Sequence, residues 1–118
     1  MYTTLKDKIR MGIYSKNFIK DLIFLNSVDS TNSYGLSLEA KEEGIVILTK
    51  EQLDGRGRNK RPWHSVKDKS IMMSIIINYP EKSDSTSLIP LLSANAIIET
   101  LDSFGLSSKI KWPNDVLV

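Results

Sequence analysis

Hydrophobic and polar positions along the chain follow two rhythms, one of period two and one near 3.6. Residues 5–20 carry a weak helical signal without clear caps, and Leu22-Ile23-Phe24-Leu25 then reads as a short strand. Asp29 or Ser30 is placed to cap a helix running to about Glu43, with Tyr34, Leu38 and Lys41 on one face and Gly44 as its stop. Ile45-Val46-Ile47-Leu48-Thr49 is a β-branched run and predicts a strand. Residues 51–66 hold two glycines, one proline and dense charge, which predicts a loop.

From Ile71 to Ile77 every position but Ser74 is apolar. A strand apolar on both faces is expected in the middle of a covered sheet. Residues 78–86, with Pro80, form a polar connection. Helical spacing resumes over 88–104 through Leu92, Ala96, Ile97, Leu101 and Phe104. Pro90 suits the first turn of that helix and Gly105 its end. Lys109-Ile110-Lys111-Trp112 predicts another strand, Pro113-Asn114-Asp115 a turn, and Val116-Leu117-Val118 the start of a last strand. Helices that alternate with strands predict an α/β (α+β) fold, a mixed sheet packed against helices. The last run is so short that the carboxyl end reads as a cut through a hairpin.

Composition narrows the class. A chain of 118 residues, 41% hydrophobic and 25% charged, suits one small globular domain. No apolar run reaches the ~18 residues of a membrane span, and the polar start lacks the apolar stretch of a secretory signal. Without cysteine there is no disulfide, zinc–thiolate site or cysteine nucleophile, and one histidine argues against a histidine metal site. A cytoplasmic setting fits. The net charge of +2 conceals a focus: residues 50–69 hold seven basic side chains against three acidic ones. Arg56, Arg58, Lys60 and Arg61 follow one another with no acid between them. Such a cluster attracts an anion.

The chemistry centres on Gln52-Leu53-Asp54-Gly55-Arg56-Gly57-Arg58-Asn59-Lys60-Arg61-Pro62-Trp63. Two glycines let backbone N–H groups approach a ligand, and arginines grip carboxylate or phosphate in pairs. Trp63 offers a flat face to a purine. The loop lacks the third glycine of a dinucleotide fingerprint and the Gly-Lys-Ser/Thr of a P-loop. Composition alone also allows a solvated basic hairpin with Trp63 tucked beneath it. In Lys111-Trp112-Pro113-Asn114-Asp115, Asn114 and Asp115 are either simple turn formers or groups for a nucleotide and its magnesium ion. Asp29-Ser30-Thr31-Asn32 is a helix cap whose spare polar groups are free to meet a ligand.

Taken together, Ser30-Thr31-Asn32, then Gly55-Arg56-Gly57-Arg58 with Arg61 and Trp63, then Lys111-Trp112-Pro113-Asn114-Asp115 resemble the biotin protein ligases in order and spacing. The similarity runs from about Val28 to the end. It implies the front part of a class II synthetase-like catalytic domain. Such enzymes activate biotin with Mg-ATP to biotinyl-5′-adenylate and pass it to a lysine of a biotin carboxyl carrier domain. The resemblance implies that Ser30, Thr31, Asn32, Gln52, Arg56, Gly57 and Arg58 contact biotin. It assigns Arg58, Arg61, Trp63 and Asn114 to the nucleotide, Asp115 to Mg2+, and catalytic roles to Arg58 and Lys111.

In this family a Lys-x-x-Gly segment follows the Asp turn, and the 118 residues stop before one. The resemblance therefore implies that they ligate biotin poorly alone. It also implies that the later sheet and a small β domain are absent. About thirty residues before Ser30 are too few for a winged-helix DNA-binding module. No DNA or membrane partner is expected, and an unfinished sheet edge favours a homodimer. Three other readings stay open: a lipoate-type ligase, a nucleic-acid-binding module built on the basic loop, and an interaction fragment that binds no small molecule.

Overall fold

The computed structural model describes residues 4–13, 18–78 and 88–118. The connection expected around Pro80 lies almost entirely outside them. Two compact units emerge, residues 1–78 and 79–118.

The first unit opens with α1 (Leu5–Ile13). Its cap escaped the sequence pattern. The Thr4 amide donates to Asp7 Oδ2 at 3.1 Å and the Asp7 amide donates to Thr4 Oγ1 at 3.2 Å, a reciprocal capping box. A three-stranded mixed sheet follows, in the order β1 (Asp21–Leu25), β2 (Ile45–Thr49), β3 (Met72–Ile75). β1 and β2 run parallel; β2 and β3 are antiparallel. The centre is thus β2, not the apolar run at 71–77. Both runs are apolar on both faces, so composition does not rank them; β2 wins because it pairs on both edges. β3 buries Met72 but leaves Met73 and Ile75 exposed.

Register sets what faces α2 (Thr31–Ser37). Ile23, Ile47 and Ser74 pair across the sheet and so share one face. α2 packs on that face of β2 and β3, close enough that a Cβ on Gly35 would lie 3.2 Å from Ile47 Cδ1. Ile47 is fully buried beneath it.

α2 is six residues shorter than the sequence predicts. Leu38 already leaves at ψ 134°, although residues 39–43 are good helix formers. Tertiary pairing overrides them. The Gly44 amide donates to the Ile76 carbonyl at 2.9 Å, and the Gly44 carbonyl accepts from the Lys20 amide at 3.0 Å. The chain has to quit the helix to make both bonds. Gly44 has a φ of 88°, and a Cβ there would overlap the Phe18 carbonyl oxygen. The glycine is needed, but at the entrance to β2 rather than at the helix end. Ser30 caps α2 by accepting from the Ser33 amide at 3.3 Å. Ser30→Ala is expected to cost about 1 kcal/mol, read from the urea midpoint of the full-length gene product.

The second unit holds α3 (Ile89–Ser103) and an antiparallel hairpin of β4 (Lys109–Lys111) and β5 (Asp115–Leu117). α3 packs on both strands. As predicted, Pro90 lies in its first turn. At the other end the Gly105 amide donates to Asp102 O and the Leu106 amide to Leu101 O, a Schellman motif. The inward face differs from the predicted stripe. Leu91, Ala94, Ile98 and Leu101 turn inward, while Leu92, Ala96, Ile97 and Phe104 are exposed. This helix is apolar on nearly every side, so its periodicity does not select a face. No helix among the described residues is long and apolar enough to cross a membrane.

Candidate functional site

The site of the first unit forms where the β1–β2 pairing continues past both strands. The Lys50 amide donates to Leu25 O, the Val28 amide to Glu51 O, and the Leu53 amide to Val28 O. The Asp54 amide then donates to Asp29 O at 2.8 Å. These bonds lay the start of the 51–66 loop along the connection into α2, which sets Gln52 beside the first turn of that helix.

Gln52 and Thr31 lock together there. Gln52 Oε1 accepts from the Thr31 amide at 2.9 Å and from Thr31 Oγ1 at 3.1 Å. The amide contact identifies the Gln52 atom as oxygen, because an N–H cannot donate to another N–H. Thr31 Oγ1 also lies 2.8 Å from Ser74 Oγ on β3. Ser30 and Thr31 are 6% and 3% exposed, so their polar atoms need internal partners; these bonds serve Thr31, and the Ser33 amide serves Ser30.

Beyond Gln52 the loop is a small hairpin rather than an irregular coil. Arg56 bridges antiparallel to Pro62, and the Trp63 amide donates to Gly55 O at 2.8 Å. The Gly57 amide donates to Arg61 O at 2.7 Å. The tip is a 3-10 turn at Arg58–Lys60. Positive φ falls on Asn59 (56°) and Lys60 (58°), not on the glycines. Gly55 is required for space instead: a Cβ there would sit 2.7 Å from Trp63 O and 3.0 Å from Gln52 Nε2. Gly55 therefore serves close packing within the loop, whereas a Cβ on Gly57 would meet only ordinary contacts at 3.7 Å and beyond.

Arg56 folds back so that Nη2 donates to Ser33 Oγ on α2. Arg58, Lys60 and Arg61 are exposed. Among the described residues none of these four cations forms an ion pair. At the base of the loop, Lys50–Asp68 at 4.0 Å and Lys67–Glu51 at 3.8 Å use acids that would otherwise offset the tip. Positive charge is thus concentrated at the turn. Trp63 is 58% exposed, so it is not tucked beneath the loop.

Alongside the polar cluster a cleft of about 210 Å³ opens between α2 and β3, lined by Asn32, Gly35, Leu36, Lys41, Ser74 and residues 75–78. Asn32 is exposed at its rim. Ser74 and Ser33 join this cluster without having been singled out by the sequence. Ser74 carried a signal, being the one polar position in the run 71–77. Ser33 had none beyond its place after Asn32.

Lys111, Asn114 and Asp115 come together in the second unit. Lys111 and Asp115 are cross-strand partners that close the β4–β5 hairpin, and Asn114 is exposed in its turn. The Trp112–Pro113 peptide is cis. Trp112 is 73% exposed, not core. Among the described residues no group of three or more histidine and acidic side chains is placed to hold a metal ion.

A small mixed sheet, a capped helix and a docked arginine hairpin define an α/β domain with a positively charged edge. Residues 24–118 match the model of the biotin/lipoate A/B protein ligase family, and the chain belongs to that family. The chain is 31% identical over 116 residues to the bifunctional ligase/repressor BirA of Bacillus spizizenii, which aligns 96% of this chain with 36% of that protein. It is 25% identical over 117 residues to the human biotin–protein ligase, covering 91% of this chain and 16% of that one. Among solved structures, the biotin protein ligase from Aquifex aeolicus in complex with biotin and ATP superposes with a TM-score of 0.75 at 30% identity. That match covers 85% of this chain and 42% of the other. The chain therefore spans well under half the length of these relatives.

Proposed function

We propose that this chain carries the biotin- and ATP-binding front of a biotin protein ligase. One biotin carboxylate oxygen attacks the α-phosphorus of ATP, giving biotinyl-5′-adenylate and releasing pyrophosphate. The Nζ of a lysine on a biotin carboxyl carrier domain then attacks the acyl carbon, AMP leaves, and the amine proton passes to solvent. The observation that carries this reading is the arginine hairpin held against α2, with its cations free of ion pairs among the described residues. Carboxylate and triphosphate repel each other, and fixed positive charge at their meeting point lowers that barrier. Holding the two in line removes much of the remaining entropic cost.

In this reading Ser30, Thr31, Asn32, Gln52, Arg56 and Gly57 form the biotin side. Arg58 spans both anions, and Arg61 and Trp63 attend the adenylate. Asn114 serves the nucleotide from its hairpin, and Lys111 takes a catalytic role. Asp115 offers a single carboxylate, which suits Mg2+ because that ion is commonly held by one or two carboxylates plus substrate phosphates. Bound there, the ion supplies charge neutralisation at the triphosphate.

Biotin-dependent exchange of labelled pyrophosphate into ATP tests the reading in the full-length gene product. Exchange with biotin and none with lipoate is expected. Exchange with lipoate alone identifies an acyl ligase of the other kind, and no exchange with either acid overturns the proposal. The Aquifex aeolicus structure, with biotin and ATP bound, supports the first outcome.

A further inference from the structure

Thr31 Oγ1 has one proton and two oxygen neighbours, Gln52 Oε1 at 3.1 Å and Ser74 Oγ at 2.8 Å. Gln52 Oε1 only accepts, so the Thr31 proton points to it; otherwise two acceptors would face each other. Ser74 must then donate to Thr31. The polarity of the whole relay is set: Ser74 hydroxyl to Thr31 hydroxyl to Gln52 carbonyl. The far end of the relay is Gln52 Nε2, which makes no hydrogen bond among the described residues and lies over the backbone of Gly55. Two donors on Oε1 prevent the amide from turning over, since a flip would bring –NH2 against the Thr31 N–H.

Resting on the biotin reading above, we propose that Ser74 is a positioning residue for biotin selection. It acts through Thr31 to hold Gln52 Oε1 in place, which leaves Nε2 as the donor offered to a carbonyl acceptor on the ligand. Ser74 suits this task. It sits on β3 in register with Ile47, facing α2, in a run where every neighbour is apolar. It also lines the cleft beside α2. A hydroxyl there has no packing advantage over the surrounding isoleucines and methionines, and among the described residues its one hydrogen bond is the relay. Without it, Thr31 Oγ1 loses its donor and is free to rotate away from Gln52.

The test uses two near-isosteric substitutions in the full-length gene product, Ser74→Thr and Ser74→Val. They differ in the hydroxyl alone, so steric effects cancel. Ser74→Val is expected to raise the biotin KM roughly five- to tenfold, the size of one lost hydrogen bond. Ser74→Thr should stay within about twofold of wild type, and neither should change kcat or the ATP KM beyond that. In a Gln52→Ala background Ser74→Val should add less than about twofold, because the group it positions is gone. The proposal is overturned if the two variants behave alike, if the loss appears in kcat, or if it is as large without Gln52. A wild type inactive with biotin would remove the underlying reading as well; a biotin-active wild type indifferent to Ser74→Val removes this proposal alone.

Discussion

Gly55→Ala is expected to lower kcat/KM for biotin about 100-fold in the pyrophosphate exchange assay, the cost of a ~1 Å misplacement within a reacting site. The added methyl meets Trp63 O at 2.7 Å and Gln52 Nε2 at 3.0 Å. The first neighbour is backbone, so the two arms of the hairpin must separate and the 2.8 Å bond from the Trp63 amide to Gly55 O is strained. The second is the amide donor that the Ser74–Thr31 relay holds in place. One substitution thus displaces the arginines and the selecting amide together. Overpacking of this kind commonly costs about 1–3 kcal/mol of stability as well, so melting is to be followed in parallel. Gly57→Ala supplies the comparison. Its new methyl meets nothing closer than 3.7 Å, and its φ of −86° is open to any residue. It should cost less than about threefold, since ordinary contact distance leaves the hairpin undisturbed. Equal effects at the two glycines would show that close packing is not what Gly55 provides.

That contrast marks where the sequence was readable. The order of elements was open to inspection because strands such as Ile45–Thr49 and breakers such as Gly105 act locally. The end of α2 was hidden because it depends on Gly44 bonding to Ile76 and Lys20, which lie 32 and 24 positions away. The central strand and the inward face of α3 were hidden for a different reason. Segments apolar on every side fit more than one burial pattern, and only partners decide among them. In the site, the arginine loop stood out by composition, yet its hairpin form depends on main-chain bonds between Gly55, Gly57, Arg61 and Trp63 that composition does not encode. Ser74 is the sharpest case. Its oddity was plain in an apolar strand, but its use appears only when β3 lies within reach of Thr31, 43 positions away.

The largest effect on ligand retention is expected from Arg58→Ala, with binding of a non-hydrolysable biotinyl-adenylate analogue weakened about 100-fold by calorimetry. Arg58 opens the turn at the loop tip, exposed and without an ion pair among the described residues. Its guanidinium is therefore uncommitted, unlike that of Arg56, which is bonded to Ser33 Oγ. A charge-assisted hydrogen bond contributes about 1.5–3 kcal/mol, and about 1.4 kcal/mol is tenfold in affinity, so losing a paired contact to the acyl-phosphate gives that factor. Folding stability should hardly move, because an exposed side chain with no partner contributes little to it. Arg58→Lys keeps the charge but not the planar pair of donors, and should recover only part of the loss. Full recovery by lysine would reduce the role of Arg58 to simple charge. Unchanged binding in Arg58→Ala would mean that the two anions meet somewhere other than this turn.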